Sequence, residues 1–295
     1  MKFKIYFVLS VMIFGTIGIF VRYINLASSE IALLRGFIGT LFLLAITIVT
    51  KQKISWTNVK KNISALLLSS FALGFNWIFL FQAYKHTTIA NASLSYYFAP
   101  VFVIVMSPIV LKEKITLKKS VCISIAVFGM LLIVQNRGNA GVEYNHLLGV
   151  CYGIIAAIFY ATLMITNKFI KNMNGLETTI VQLSLATIML IPYVFATEGI
   201  NLPQITKISI IFIIILGVIH TGLGFYLFFY GMKGLNGQSI AALSYIDPVT
   251  SLFVSFIVFG ENMTMFQSIG AVLLLGSTFI SEINKNYDHS ANERS

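Results

Sequence analysis

Ten stretches of predominantly apolar residues, each close to the length that crosses a bilayer, follow one another along the chain. A transmembrane helix needs about 20 such residues to cross a hydrocarbon core of about 30 Å. With 57% hydrophobic and 10% charged residues, the composition is also that of an integral membrane protein. We therefore predict an all-α membrane protein of ten transmembrane helices, in the segments 5–24, 31–50, 63–84, 88–111, 119–135, 147–167, 178–196, 208–231, 238–259 and 265–283.

The Lys and Arg residues lie mostly on the side of the membrane that carries the N-terminus. Fifteen of the 20 are assigned to connections on that side and four to the other, and Arg35 lies within a span. Because cytoplasmic loops carry an excess of positive charge, both termini are expected in the cytoplasm. The net charge of +10 is thus a topology signal and not a nucleic-acid surface. We expect a multi-pass protein of the cytoplasmic membrane.

The two halves of the sequence match each other at an offset of 148 residues. Twelve residues between positions 71 and 120 are identical to their partners in the second half, including the pairs Tyr97/Tyr245 and Pro100/Pro248. Each half holds five spans, an odd number, so the second half is expected to lie inverted in the membrane. The predicted units are a first five-helix repeat (1–140), a second, inverted repeat (141–284) and a disordered cytoplasmic tail (285–295).

The combination of ten spans in two halves, a tight hairpin between the third and fourth span of each half, and a recurring proline resembles the EamA-type branch of the drug/metabolite transporter superfamily. The residues that carry the resemblance are Leu34-Arg35, Ala99-Pro100 with Glu113 to Thr116, and Asp247-Pro248 with Glu261 to Thr264. The resemblance covers about residues 5–283. It implies a secondary carrier of small metabolites, often amino acids or related compounds, and most often an exporter.

Two departures limit that resemblance. Phe14-Gly15 stands where many relatives have Trp-Gly. The first span also contains no carboxylate, so the glutamate through which small multidrug members couple protons has no counterpart in it. Drug–proton antiport by that route is therefore not expected.

Asp247 is the only aspartate outside the C-terminal tail, and it falls near the middle of the ninth predicted span. A carboxylate at that depth costs about 2.5–3.5 kcal/mol to insert, so it is expected to face the bundle interior. One interpretation is a protonatable or substrate-contacting group, with protons as the candidate coupling ion. The other is a carboxyl that satisfies backbone groups freed by Pro248. The repeat partner of Asp247 is Ala99, so the fold itself does not require the acid.

Further polar and aromatic residues are candidates for the substrate pathway. Asn76 in the third span and His220 in the eighth are expected to face equivalent directions in the two halves, either lining a cavity or bonding a neighbouring helix. The tyrosines Tyr97 and Tyr245 precede the paired prolines by three residues. Other aromatic candidates, which could equally be ordinary membrane aromatics, are Trp77, Tyr226 and Tyr230.

A second group of polar residues is assigned to structure. Arg35 lies close enough to the outer end of its span for partial snorkelling, and Gln182 is its counterpart at an offset of 147. Glu113 and Glu261 occupy turns, where each is expected to accept hydrogen bonds from the first amides of the following helix. Pro100 and Pro248 complete this group.

The function expected from these residues is transport and not catalysis. The four histidines are scattered, no nucleophile–base or metal-ligand motif is present, and neither a cofactor nor a metal is predicted. One acid, few bases and several aromatics favour zwitterionic, cationic or aromatic solutes, moved by alternating access and exported. The alternatives are an importer with the same mechanism, an intramembrane enzyme or a channel. Lipid-facing and partner-facing surfaces are both apolar, so the sequence favours no oligomeric state.

Overall fold

The computed structural model describes residues 2–52, 54–112, 115–135, 145–197, 205–232, 234–235, 240 and 243–283. Across these residues the chain forms helices joined by turns and contains no β-strand. The α-helices are α1 (Lys2–Gly15), α2 (Ile17–Tyr23), α3 (Ser28–Val49), α4 (Trp56–Lys61), α5 (Ile63–His86), α6 (Ile89–Tyr96), α7 (Ala99–Val110), α8 (Leu117–Gln135), α9 (His146–Asn167), α10 (Gly175–Thr197), α11 (Lys207–Ile215), α12 (Gly224–Met232), α13 (Ile246–Phe259) and α14 (Met265–Ile283). A π-helical segment (Leu216–Leu223) joins α11 to α12.

Seven helical stretches in the described part of the chain are long and apolar enough to cross a membrane. They are Lys2–Tyr23, Ser28–Val49, Ile63–His86, Ile89–Val110, His146–Asn167, Gly175–Thr197 and Lys207–Met232. The three remaining predicted spans coincide with α8, α13 and α14. The structure therefore confirms the predicted all-α, multi-span membrane protein, and we number its spans 1 to 10 in chain order.

Large apolar side chains cover the outside of the bundle. Ile109 and Leu117, for example, are 81% and 83% exposed in the isolated chain. Many buried side chains are instead polar, including Ser69, Asn76 and Asn91. A membrane protein needs this arrangement, because lipid solvates the apolar exterior while polar groups find partners only inside the bundle.

Three spans are interrupted where the sequence had predicted single helices. Span 1 breaks at Thr16, between α1 and α2, and span 4 breaks at Tyr97 and Phe98, between α6 and α7. Pro100 has no N–H to bond the Tyr96 carbonyl, which explains why α6 ends at Tyr96. Span 9 has a turn at the matching residue, Tyr245, which is the N-cap of α13.

The packing of the helices follows the relationship between the two halves. Span 3 packs along span 6, and their counterparts, spans 8 and 1, also pack together. Span 2 contacts spans 7 and 8, while span 7 contacts spans 2 and 3. Span 4 packs on spans 6 and 9, and span 9 packs on spans 1 and 4. Each contact thus has a counterpart when the halves are exchanged.

Spans 5 and 10 approach each other through two glycines. A Cβ on Gly129 would lie 2.7 Å from the carbonyl oxygen of Gly270, and a Cβ on Gly270 would lie 2.5 Å from that of Gly129. A backbone atom cannot move aside cheaply, so side chains at either position would separate the two helices. Small residues permit this close approach, as in many membrane helix pairs.

Two loop contacts at opposite ends of the bundle also correspond. At one end Ser209 Oγ donates to Asn25 Oδ1 over 2.5 Å, which ties the turn after span 1 to the start of span 8. At the other end Asn58 Nδ2 donates to the Asn172 carbonyl over 2.7 Å, which ties α4 to the turn after span 6. The sequence analysis did not predict the short helix α4.

Candidate functional site

Asp247 lies at the start of α13, next to the turn in span 9, and is half-buried inside the bundle. Its carboxyl has a side-chain hydrogen-bonding interaction with the phenol of Tyr97, which occupies the break in span 4. The two proline-associated breaks therefore bring an acid and a phenol together. No interaction of the carboxyl with backbone freed by Pro248 is among its contacts, so the contact with Tyr97 is the one that the structure offers.

Other polar side chains from spans 3, 4 and 9 surround this pair. Ser93 Oγ and Ser251 Oγ lie 2.5 Å apart, across the contact between α6 and α13. Tyr84 interacts with Ser93, and Tyr96 with Asn76, through side-chain hydrogen bonds. We call the group the central cluster; its members are Tyr84, Ser93, Tyr96, Tyr97, Asp247 and Ser251.

The break in span 1 lies against the same region. A Cβ added to Gly15 would approach the Asp247 carbonyl oxygen and Thr250 Cβ to 2.7 Å each. Only a glycine permits this approach of α1 to the first turn of α13. The broken parts of spans 1, 4 and 9 thus meet at one place inside the bundle.

Arg35 projects inward from α3 and is only 2% exposed. Its Nε donates to Thr221 Oγ1 over 2.7 Å, and its guanidinium carbon lies 4.4 Å from the centroid of the Trp77 ring. The prediction that this side chain snorkels to the membrane surface is therefore wrong, because aromatic rings and a hydroxyl inside the bundle compete successfully for it. Arg35 interacts electrostatically with Tyr84 and Tyr96 of the central cluster.

Asn76 and His220 both bond a neighbouring helix, which is one of the two alternatives left open by the sequence. Asn76 Nδ2 donates to the Ala156 carbonyl in α9 over 2.8 Å. His220 Nε2 lies 2.9 Å from Thr16 Oγ1, at the break in span 1. Both side chains are almost fully buried, at 1% and 2% exposure.

The other aromatic candidates divide into two groups. Trp77 belongs with Arg35, whereas Tyr245 packs edge-on against Phe279 of α14, with ring centroids 5.1 Å apart. Tyr230 is 39% exposed and packs on Tyr6 near the beginning of α1. Tyr226 stacks on Tyr230. Tyr226 and Tyr230 therefore form an aromatic group with α1, and their assignment to the pathway around Asp247 is not supported by their contacts.

Gln182, the counterpart of Arg35, is held by two side chains. Its Nε2 donates to Ser69 Oγ over 2.7 Å and to Asn167 Oδ1 over 2.6 Å. The contact with Ser69 joins spans 7 and 3, just as the contact of Arg35 with Thr221 joins spans 2 and 8. The polar position shared by the two halves is therefore satisfied in different ways.

Glu261 does not contact the helix that follows it, as had been predicted. Its carboxylate forms an ion pair with Arg22, accepts a hydrogen bond from Ser255 Oγ and accepts another from the Ile89 N–H over 2.9 Å. The next helix is instead capped by Thr264 and Gln267, which bond each other's backbone N–H groups. Glu261 thus ties together the ends of spans 1, 4 and 9. Glu113 lies outside the described residues.

The sequence analysis missed Tyr84, Ser93, Ser251 and Arg22 as participants. Helical spacing could have found two of them: Ser93 lies four residues before Tyr97, and Ser251 lies four residues after Asp247, so each shares a helix face with a chosen residue. Arg22 carried no such signal, because its partner Glu261 is 239 residues away. Among the described residues, no group of three or more His, Cys, Asp or Glu could hold a metal ion.

Comparison with known proteins identifies the family. The model of the EamA-like transporter family matches residues 1–135 and again 147–282. The Bacillus subtilis (strain 168) protein called "Uncharacterized transporter YxxF" is 28% identical over 94% of this chain and 88% of its own length. An Archaeoglobus fulgidus protein, called "Uncharacterized transporter", is 27% identical over 93% and 94% of the two chains.

A solved crystal structure has the same fold. It superposes with a TM-score of 0.65 over 95% of this chain and 96% of its own, at 14% sequence identity. The likeness at this identity concerns the fold alone. The two matches of the family model together cover nearly all of the sequence, including the central cluster and Arg35. The chain belongs to the EamA-like transporter family.

Proposed function

We propose that this membrane protein is a secondary transporter that exports small metabolites across the cytoplasmic membrane by alternating access. The proposed substrates are amino acids or related zwitterionic, cationic or aromatic solutes. Membership of a transporter family points to transport rather than to catalysis. The observation that carries the more specific proposal is the central cluster, in which Asp247 meets Tyr97 at two helix breaks inside an apolar bundle.

An ionisable group at this position has a cost that the fold alone does not explain. Inserting a carboxylate at the bilayer centre costs about 2.5–3.5 kcal/mol, and the other half of the chain has Ala99 at the equivalent position. Discontinuous helices near the midplane are the usual site of substrate and ion binding in transporters. The half-buried carboxyl and phenols give a solute both a charge and aromatic faces to contact.

The matching contacts of the two halves support alternating access. We propose that residues 1–140 and 141–284 are inverted repeats, so that exchanging their conformations opens the central cluster to one side and then to the other. Two such states have similar energies because each is built from the same pair of folds. The paired loop contacts at opposite ends of the bundle agree with this symmetry.

We further propose that Asp247 couples transport to protons. The titratable or charged groups that interact with or surround it are Tyr97, Tyr84 and Tyr96, and beyond those phenols lies Arg35. An acid that binds a proton in one state and releases it in the other would link solute flux to the proton gradient. Asp247→Asn is expected to abolish the pH dependence of flux while leaving folded protein in the membrane.

The test begins with thermal unfolding of the detergent-purified protein against amino acids, amines, nucleosides, sugars and sugar phosphates at two pH values. A ligand at 100 times its Kd stabilises the folded state by about 2.7 kcal/mol. Compounds that raise the unfolding temperature are then followed in liposomes, where saturable counterflow is expected of a carrier. Flux that neither saturates nor shows counterflow would identify a channel. Accumulation driven only from the outside would reverse the proposed direction.

A further inference from the structure

Arg35 is a buried cation for which the described protein provides no anion. It lies seven residues after the start of α3, about 10 Å along the helix axis at 1.5 Å per residue. The single ion pair among the described residues joins Arg22 and Glu261 and does not include Arg35. Leaving a buried charge without a counter-charge is costly, and in membrane proteins such a residue commonly marks a ligand or ion path.

The protein fixes one edge of the guanidinium and one of its faces. Nε donates to Thr221 Oγ1, and that hydroxyl donates in turn to the Leu216 carbonyl over 2.9 Å, so its position as an acceptor is set. The guanidinium lies over the ring of Trp77, and the Phe81 centroid is 5.6 Å from the guanidinium carbon. Cation–π contacts of this kind hold a guanidinium without using its N–H groups.

The terminal nitrogens of Arg35 remain available for a ligand. The bond from Nε to Thr221 is the only hydrogen bond of the guanidinium to the described residues. Arg has five N–H donors in a planar fork, of which four are on the two terminal nitrogens. That fork matches the two oxygens of a carboxylate.

Gln182 shows what a purely structural residue does at this position. It occupies the equivalent place in span 7, and its amide nitrogen is satisfied by Ser69 and Asn167. A neutral side chain therefore suffices for the helix contact. The charge and the unused donors of Arg35 go beyond that requirement.

Tyr84 and Tyr96 link Arg35 to the acid of the central cluster. Each of these phenols interacts electrostatically with Arg35 and with Asp247. A cation and an acid thus face a shared set of phenols without forming an ion pair with each other. A solute placed along these phenols would meet a positive group at one end and a negative group at the other.

We propose that Arg35 binds the carboxylate of the substrate while Asp247 receives its ammonium group, so that the transported class is zwitterionic α-amino acids. This proposal rests on the proposed transport function and narrows its substrate class. Trp77 and Thr221 act as positioning residues for the guanidinium. An amine without a carboxylate, or a carboxylate without an amine, would engage only one of the two groups.

The test uses full-length protein in liposomes and matched sets of three probes. Each set holds an amino acid, its decarboxylated amine and its deaminated acid: L-phenylalanine, phenethylamine and 3-phenylpropionate; L-leucine, isoamylamine and 4-methylpentanoate; L-lysine, cadaverine and 6-aminohexanoate. For wild type we expect at least one amino acid to compete in counterflow at least tenfold better than its amine. Arg35→Gln is expected to remove that preference by weakening the amino acid, with the amine changed less than threefold.

Two further variants separate this role from a structural one. Lys207→Gln removes one positive charge from an exposed residue and is expected to keep the amino acid preference of wild type. Thr221→Val keeps the Arg35 charge but removes its Nε acceptor, and is expected to weaken the amino acid several-fold with little change for the amine. Should Arg35→Gln fail to fold, Thr221→Val and the wild-type comparison decide the matter.

The outcomes distinguish this proposal from the proposed function. An amine that competes as well as its amino acid in wild type, or an unchanged preference in Arg35→Gln, overturns the role of Arg35 and leaves transport intact. Binding of a nucleoside or sugar in place of every probe does the same. If no compound in these sets or in the wider panel is transported or bound, the proposed function itself fails.

Discussion

Spans 1 and 6 occupy equivalent places in the two halves of the chain, yet they are built differently. Span 6 is one continuous helix, α9, packed along α5 with a single buried bond from Asn76 to the Ala156 carbonyl. Span 1 is broken at Thr16, and its partner, span 8, contains the π-helical segment with His220. At the offset of 148, Met164 takes the place of Thr16 within a regular helix.

This difference assigns different tasks to the two contacts. In α5 and α9 the backbone bonds are made within each helix, so the pair is expected to move as one body. In spans 1 and 8, the side chains of Thr16, His220 and Thr221 bond backbone carbonyls three to five residues earlier in the chain. Such bonds can be exchanged at low cost, and π-helical segments often occur at functional sites. We therefore expect spans 1 and 8 to bend during the transport cycle.

The largest effect is expected at the far ends of spans 1 and 6. Arg22 pairs with Glu261, whereas the equivalent residue after span 6, Ile170, packs against an apolar cluster. Glu261→Ala leaves a mostly buried arginine unpaired and should lower the free energy of unfolding by about 3–5 kcal/mol. Ile170→Ala should cost about 1–2 kcal/mol, since its side chain is only partly buried. Denaturant unfolding in detergent measures both, and equal losses would contradict the contrast.

Adding a methyl group to one glycine in each span should separate stability from transport. A Cβ at Gly15 would meet the Asp247 carbonyl at 2.7 Å, and a Cβ at Gly153 would meet Ser95 Cβ at 2.6 Å. Gly15→Ala and Gly153→Ala should each cost about 1–3 kcal/mol of stability. Only Gly15→Ala displaces the first turn of α13, so only it should lower flux tenfold or more. A comparable loss of flux in Gly153→Ala would remove the distinction.

Hydrogen exchange should show the difference in backbone stability directly. Amides in Leu216–Leu223 are expected to exchange about tenfold faster than amides in the middle of α9, because i→i+5 bonds are weaker and side chains compete for the carbonyls. Mass spectrometry of peptides from the two spans, in the same detergent, gives the comparison. Equal protection would mean that span 8 is as rigid as span 6.

The smallest effects are expected from the two interhelical bonds themselves. Such bonds contribute about 0.6 kcal/mol in membrane proteins. A double-mutant cycle of Thr16→Val and His220→Leu should give a coupling of about that size. Asn76→Leu should cost about as much, since Ala156 keeps its own helical bond. A coupling above about 2 kcal/mol would show that His220 holds span 1 in place more firmly than a single membrane hydrogen bond can.

Much of the architecture was predictable because lipid imposes simple rules on a chain. Apolar length located the ten spans, and the repeat located Pro100 and Pro248. The positions of the helix breaks follow from those prolines, but the break at Thr16 and the π-helical segment do not, since no proline or charge marks them. They depend on bonds between spans 1 and 8 that a local pattern does not record.

The site was predicted less completely than the fold. Asp247 and Tyr97 were identified because one is a lone acid and the other is a repeated residue. Arg35 was assigned to the membrane surface because its position along the helix was known and the rings that would receive it were not. The roles of Glu261 and Tyr230 were misjudged for the same reason: each is decided by a residue on a distant span.

The central claim, alternating access to the central cluster, is tested most directly by thiol labelling from both sides of the membrane. Tyr160 is half-buried, and its ring centroid lies 5.1 Å from that of Tyr96. Tyr160→Cys is made in a chain whose two native cysteines, Cys122 and Cys151, are replaced by alanine. An impermeant thiol reagent is then applied from the inside or from the outside of vesicles. Alternating access predicts labelling from both faces, with a saturating substrate gradient slowing one rate and raising the other. Labelling from one face only, unaffected by every substrate, would contradict it.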